Sequence, residues 1–229
     1  VPGEDVLVLV GDLLEKGLES LATLRYIMEL SRQGTVYALC GNCDHIDRVF
    51  LEGRPGADED LRPVFQFWKE RWLIAQMGAE LGLEMRSMDD LPALRRAVLE
   101  HFPGECAFLL GLPHILEAGN FLFVHGGVPR EDRLEGLGAY RCMKDDDFLD
   151  QGHVFHKWVV VGPWPVTLYH HHVPTARPLV SEEQHIISID GGCVLKLDGQ
   201  LNALIIPDIT GDQVDYVAYD GLRVVRALD

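Results

Sequence analysis

Asp12, Asn42 and His125 are the residues of this chain whose types and placing could do chemistry together. Each closely follows a short apolar run: residues 6–10 lead into Gly11-Asp12, residues 35–39 into Gly41-Asn42-Cys43-Asp44, and Phe121–Val124 into His125-Gly126-Gly127. A fourth run, Trp158–Val161, ends in Gly162-Pro163. Apolar runs bounded by glycine read as buried parallel strands, and in open α/β sheets ligands collect beyond the carboxyl ends of such strands. A carboxylate, an amide and an imidazole delivered to one sheet edge are oxygen and nitrogen donors for a hard or borderline metal ion.

The elements that must position them follow from periodicity. Leu21, Leu24, Ile27 and Met28 recur at helical spacing between the first two runs, and Gly34 reads as the helix stop. The result is a βαβ unit, whose crossover makes its two strands parallel. Parallel strands end on the same edge, so Asp12 and Asn42 are expected near one another. Leu61, Phe65, Trp68, Trp72, Ala75 and Ala79 trace one face of a long helix, and a second helix is expected over residues 90–100. We read residues 52–104, approximately, as a helical insertion. Beyond residue 115 strands are expected at 121–124, 158–161, 186–189, 201–206, 214–219 and 222–225, with an acidic, irregular connection over 130–157.

The chain has 229 residues, long enough for one large domain or two small ones, and with 47% of them apolar and 24% charged it is globular; we read residues 1–229 as one domain. Its net charge of −16, from 20 basic against 36 acidic residues, disfavours nucleic acid and anionic membranes as partners. The same field repels a phosphate ester unless cations invert the potential locally. No apolar stretch approaches the roughly 20 residues of a membrane span, and no leader is recognisable, so a soluble chain is expected. Five scattered cysteines argue for a reducing, cytoplasmic setting over a disulfide framework.

Gly11-Asp12-Leu13-Leu14-Glu15-Lys16-Gly17, Gly41-Asn42-Cys43-Asp44 and His125-Gly126-Gly127 resemble, in order, motifs of calcineurin-like metallophosphoesterases. The similarity is greatest to the branch of PPP-type serine/threonine protein phosphatases and their bacterial relatives, whose pattern runs D-x-H, G-D-x-x-D-R-G, G-N-H-[DE], H-[AG]-G and G-H. The stretch Ile186-Ile187-Ser188-Ile189-Asp190-Gly191-Gly192-Cys193 resembles the closing strands of bacterial members. The resemblance implies an α/β fold with mixed sheets packed as a sandwich and flanked by helices. It also implies a site for two divalent ions (manganese, iron or zinc), with Asp12 bridging them and Asn42 and His125 on the second. Two such ions polarise the phosphoryl group and activate a water for in-line attack. Lys16 takes the family's arginine position and could face phosphate oxygens, as a point charge without the bidentate fork. Glu15 replaces an aspartate. The expected reaction is hydrolysis of a phosphate monoester, with phosphoserine or phosphothreonine, nucleotides and sugar phosphates all open as substrates; oligomeric state is open too.

The sequence also departs from the pattern. The D-x-H motif is expected upstream of Val1, on a strand this chain lacks. Pro163 stands in place of the G-H histidine. Cys43 stands in place of the protonating histidine, leaving Asp44 no imidazole to orient; a thiol can donate a proton, but its ordinary pKa of about 8.5 suits neutral pH less well. Cys43, Asp44 and Lys16 are thus the candidate catalytic residues, and Asp12, Asn42 and His125 the candidate ligands. A non-catalytic pseudophosphatase on the same fold is the principal alternative. Cys40-Gly41-Asn42-Cys43 also has the form of a C-x-x-C dithiol, which leaves Asp12 and His125 unexplained. A cysteine-dependent phosphatase loop fails on counting, because Arg48 stands five residues after Cys43 and six are needed. A structural zinc site lacks its second cysteine pair. His170-His171-His172 reads as a solvated loop, since neighbouring strand side chains point to opposite faces. Asp145-Asp146-Asp147 reads as a solvated acidic run, and Asp190-Gly191-Gly192 as a strand-end turn.

Overall fold

The first apolar run becomes β1 (Leu7–Leu9) and the second becomes β2 (Val36–Ala38), paired in parallel from Leu7 against Val36 to Leu9 against Ala38. Between them α1 (Ser20–Arg32) buries Leu21, Leu24 and Ile27, the stripe read from the sequence. Gly34, at φ +84°, turns the chain out of the helix through the left-handed region that glycine enters without strain. The computed structural model describes residues 5–132, 134, 137–145, 147–165, 176–193, 199–219 and 224–226. It divides into two compact units, Val1–Pro113 and His114–Asp229.

In the first unit, α2 (Asn42–Glu52) begins almost where β2 ends, so Asn42 and Cys43 lie in its first turn. Then come α3 (Ala57–Trp68), α4 (Leu73–Glu80), α5 (Leu91–His101) and α6 (Pro103–Gly111). The second expected helix is present as α5, but the single long helix drawn through Leu61 and Ala79 is two. It breaks after Trp68, and α4 buries Leu73, Ile74 and Met77, while Ala79 is exposed. The break has a tertiary cause. Trp72 is fully buried, with its Nε1–H held by Asp47 Oδ1 at 2.8 Å, and the Leu73 N–H is held by Glu15 Oε1 at 3.2 Å. Those two carboxyls fix the residues that would otherwise carry the helix through. Trp72 also meets Phe50 of α2 edge-on at 5.6 Å, an arrangement worth about 1 kcal/mol beyond the area it buries.

The second unit carries a mixed five-stranded sheet in the order β3 (Ile115–Ala118), β4 (Phe121–Val124), β5 (Trp158–Val161), β7 (Ile186–Ser188), β6 (Leu179–Ser181). β4, β5 and β7 run parallel, and the edge strands β3 and β6 are antiparallel to their neighbours. Every residue of β4, β5 and β7 is buried, as continuous apolar runs in a central strand require. β8 (Leu201–Ile205), β9 (Asp215–Tyr219) and β10 (Val224–Arg226) form an antiparallel sheet of three. β6 and the short helix α7 (Ala139–Met143), which lies in the connection expected to be irregular, were not foreseen. Phe148 and Phe155, from that same connection, pack with Leu122, Val124, Val159 and Ile186 in the core of this unit. The architecture is α/β, as expected. Among the described residues no helix is long and apolar enough to cross a membrane. His170-His171-His172 and Asp146 lie outside the described residues.

Candidate metal centre

The loop after β1 is strained and held from outside. Gly11, Asp12 and Glu15 have φ of +85°, +52° and +76°, and for the two non-glycine residues the left-handed region costs roughly 1–2 kcal/mol each. What holds it is the loop after β2. Asp44, completely buried, accepts the Leu13 N–H on one oxygen at 3.0 Å and the Gly41 N–H on the other at 2.8 Å. Asp12 Oδ1 accepts the Cys43 N–H at 2.8 Å. The approach is so close that a methyl at Gly41 would overlap the Asp12 backbone nitrogen, and only glycine fits there. On the other side of the loop, the Glu15 N–H donates to Ser20 Oγ at 3.2 Å.

Asp12 and Asn42 therefore come together, as the parallel pairing of β1 and β2 implies, and they meet on Cys43. The thiol donates to Asp12 Oδ2 at 3.2 Å, and the Asn42 amide nitrogen lies 3.6 Å from the same sulfur. The amide oxygen of Asn42 and the carboxylate of Asp12 are the atoms here whose chemistry suits a cation. Carboxylate and amide oxygens fit a hard divalent ion in kind. They do not complete a shell: among the described residues no group of three or more His, Cys, Asp or Glu is placed to hold a metal.

Burial governs the ionisable groups of this loop. It pushes the Cys43 thiol far above its usual range, with the Asp12 carboxylate adding to the effect and the Lys16 ammonium opposing it. Cys40 is pushed up to about 12, again by burial first and by Asp44 next. Reactive dithiols show depressed values, so this C-x-x-C has the opposite character, and both thiols are free. Asp44 rises to about 7 by burial and the nearby Asp12, against the pull of the backbone N–H groups it accepts. Glu15 rises to about 8 by burial, against the Leu73 N–H. Asp47 is raised well above the usual range by burial and by Glu15 and Asp44, with its Oδ2 buried and without a hydrogen-bond partner among the described residues. Lys16, beside Cys43, Asp12 and Glu15, is held above its usual range although burial opposes this.

In the second unit His125 is buried at the end of β4, and its carbonyl accepts the Gly162 N–H at 3.0 Å, tying the ends of β4 and β5 together. Pro163 follows at that strand end and offers no side-chain donor atom. A methyl on Gly126 would stand 2.6 Å from the Arg141 carbonyl and the Lys144 nitrogen, and one on Gly127 would run into the Phe148 ring. Packing accounts for both glycines. Asp190-Gly191-Gly192 is the expected turn, closed by the Gly192 N–H on Asp190 Oδ1 at 2.8 Å.

Sequence reasoning missed Asp47 and Arg71, and it placed Trp72 on a buried face without its bond to Asp47. For Asp47 a signal existed, because Asp44 and Asp47 stand three apart and share one helix face. For Arg71 there was none, since its place depends on the helix break at Trp68.

A family model for calcineurin-like phosphoesterases matches residues 1–205. Among curated proteins the chain is 24% identical, over 217 residues, to the asymmetrical bis(5'-nucleosyl)-tetraphosphatase PrpE of Halalkalibacterium halodurans, covering 91% of this chain and 78% of that protein. It is 25% identical, over 211 residues, to the protein of the same name in Bacillus subtilis, covering 89% of this chain and 77% of that protein.

Proposed function

The chain belongs to the calcineurin-like phosphoesterase family, and on that premise we propose that it hydrolyses a phosphate bond of bis(5'-nucleosyl) tetraphosphates. The substrate class comes from the two tetraphosphatases similar to the chain over about nine-tenths of its length. What carries the site is the meeting of Asp12 and Asn42 on Cys43 at the carboxyl ends of adjacent parallel strands. Asp12 and Asn42 would hold a divalent cation, with His125 the further ligand that the family pattern implies; the cation when bound polarises a phosphoryl oxygen and lowers the pKa of water. Lys16 supplies positive charge to the phosphate in a chain whose overall field repels it. Cys43 keeps its proton at neutral pH and orients Asp12 through it. Asp44 fixes the two loops against each other. Five free thiols suit a reducing, cytoplasmic setting.

Phosphomonoesters, including phosphoserine and phosphothreonine, are the competing substrates. The test is hydrolysis of diadenosine tetraphosphate, p-nitrophenyl phosphate and a phosphothreonine peptide, each with manganese or magnesium and each repeated with Asp12→Asn. Faster turnover of the tetraphosphate, abolished in Asp12→Asn, is expected. Preference for the peptide would overturn the substrate class. Failure on all three would favour a binding protein, the reading to which Cys43 and Pro163 point.

A further inference from the structure

We propose that Arg71 and Lys16, gathered on the indole of Trp68, form a subsite for a polyphosphate chain at the mouth of the Asp12 loop. The Lys16 ammonium lies 5.5 Å from the centre of the Trp68 ring and the Arg71 guanidinium 5.8 Å from it, so one aromatic face system collects two cations. Trp68 is 41% exposed at the end of α3, and Arg71 is half-buried just before α4. Arg71 Nη1 donates to the Lys16 carbonyl at 3.3 Å, which ties the helix break directly to the loop bearing Asp12. The Arg71 carbonyl is fixed in turn by Ser20 Oγ at 2.9 Å and Gln76 Nε2 at 3.2 Å.

Arg71, like Arg48 and Arg95, donates to a backbone carbonyl and not to a carboxylate. Arg25, Arg32, Arg54 and Arg86 of the same unit each pair with a glutamate. Arg71 makes no ion pair among the described residues, in a chain where acidic residues outnumber basic ones by 36 to 20. With one donor spent on Lys16, the rest of the guanidinium fork is free to bind phosphate oxygens in pairs. Lys16 lies on the Asp12 side and Arg71 one step away from it, so successive phosphates of a chain would meet successive cations. The subsite rests on the phosphoesterase reading of the Asp12 loop and deepens it: the insertion reads the phosphates beyond the one cleaved.

The probes are inorganic tripolyphosphate and orthophosphate, titrated calorimetrically into metal-free protein, so that no turnover is required. Arg71→Met is expected to bind tripolyphosphate roughly 10- to 50-fold more weakly, the loss of a charge-assisted contact. Its loss for orthophosphate is expected to stay within about threefold. Arg71→Lys, which keeps the charge without the fork, should recover part of the difference. Arg32→Met removes the same charge at the other end of α1, roughly 18 Å along the helix from Ser20, whose hydroxyl holds the Arg71 carbonyl, and should change tripolyphosphate affinity less than about twofold. Equal losses for the two anions, no recovery by lysine, or an equal loss in Arg32→Met would each overturn the subsite. Should Arg71→Met not fold, Arg71→Lys against wild type, with affinity measured at about 50 and about 500 mM salt, gives the same reading through a weaker and less bidentate contact. Tripolyphosphate binding that depends on Arg71, in a protein that cleaves no dinucleotide, would sink the proposed substrate and leave the subsite standing. Dinucleotide cleavage with no dependence on Arg71 would do the reverse.

Discussion

Replacing Glu15 by glutamine should make the protein more stable in alkali while changing little in acid. Glu15 is buried, and burial raises its pKa from the ordinary 4.5 to about 8. A carboxyl whose folded pKa is raised binds its proton more tightly in the folded state, so stability is fully present below about 4.5 and falls as pH rises toward 8. The gap between 4.5 and about 8, at 1.36 kcal/mol per pH unit, is roughly 5 kcal/mol, an upper figure for the stability lost across that window. Set against total stabilities of about 5–15 kcal/mol, such a loss is large. Glutamine keeps an oxygen for the Leu73 N–H and carries no charge, so Glu15→Gln should remove about one proton from the pH dependence. The slope of unfolding free energy should flatten by about 1.4 kcal/mol per pH unit between pH 5 and 8. Removing the charge also relieves Asp47, which Glu15 helps to raise. Urea unfolding of EDTA-treated protein, followed by the helical circular dichroism signal at pH 5, 6, 7, 8 and 9, reads this directly. Equal destabilisation at every pH would show that Glu15 is ionised in the fold and held by partners, and would refute the reasoning.

Three further outcomes are expected. Trp72→Phe leaves Asp47 Oδ1 buried without its donor and should cost about 1–3 kcal/mol in urea unfolding, whereas Trp72→Phe combined with Asp47→Leu should cost less than the single change. Glu131 is partly buried, which works against its charge. The N–H groups of Lys157 and His156, with the His156 ring, nevertheless hold its pKa below the ordinary value. Its stabilisation is present above about 4.5 and lost as pH falls through the lower folded value, so Glu131→Gln should lower the melting temperature at pH 7 and by progressively less as pH falls below about 4.5. Thiol titration of the native protein with a disulfide reagent at pH 8 should show one fast group, the exposed Cys193, with Cys40 and Cys43 reacting only on unfolding.

Much of the frame was legible in the residues themselves. The apolar runs announced β4, β5 and β7, which are buried throughout, and also β1 and β2, where Leu7 and Tyr37 are exposed and the full burial read from the sequence does not hold. The stripe through Leu21, Leu24 and Ile27 announced α1, and the βαβ connection made β1 and β2 parallel, which put Asp12 and Asn42 at one edge. β6 left no mark because a three-residue edge strand owes its existence to the neighbour it pairs with.

What only the tertiary structure decided is where charge and aromatic side chains end up. The pattern from Leu61 to Ala79 satisfies helical spacing throughout, and its proline, Pro63, sits inside α3 and not at the break. The break after Trp68 comes from Asp47 and Glu15, far away in sequence, which offer buried oxygens to Trp72 and Leu73 that helix continuation would forfeit. The same break carries Arg71 to Lys16 and leaves Trp68 at the surface beneath both. Periodicity records which residues face inward along one element. A hydrogen bond or charge contact between elements leaves no period, and so it is settled only when the chain has folded.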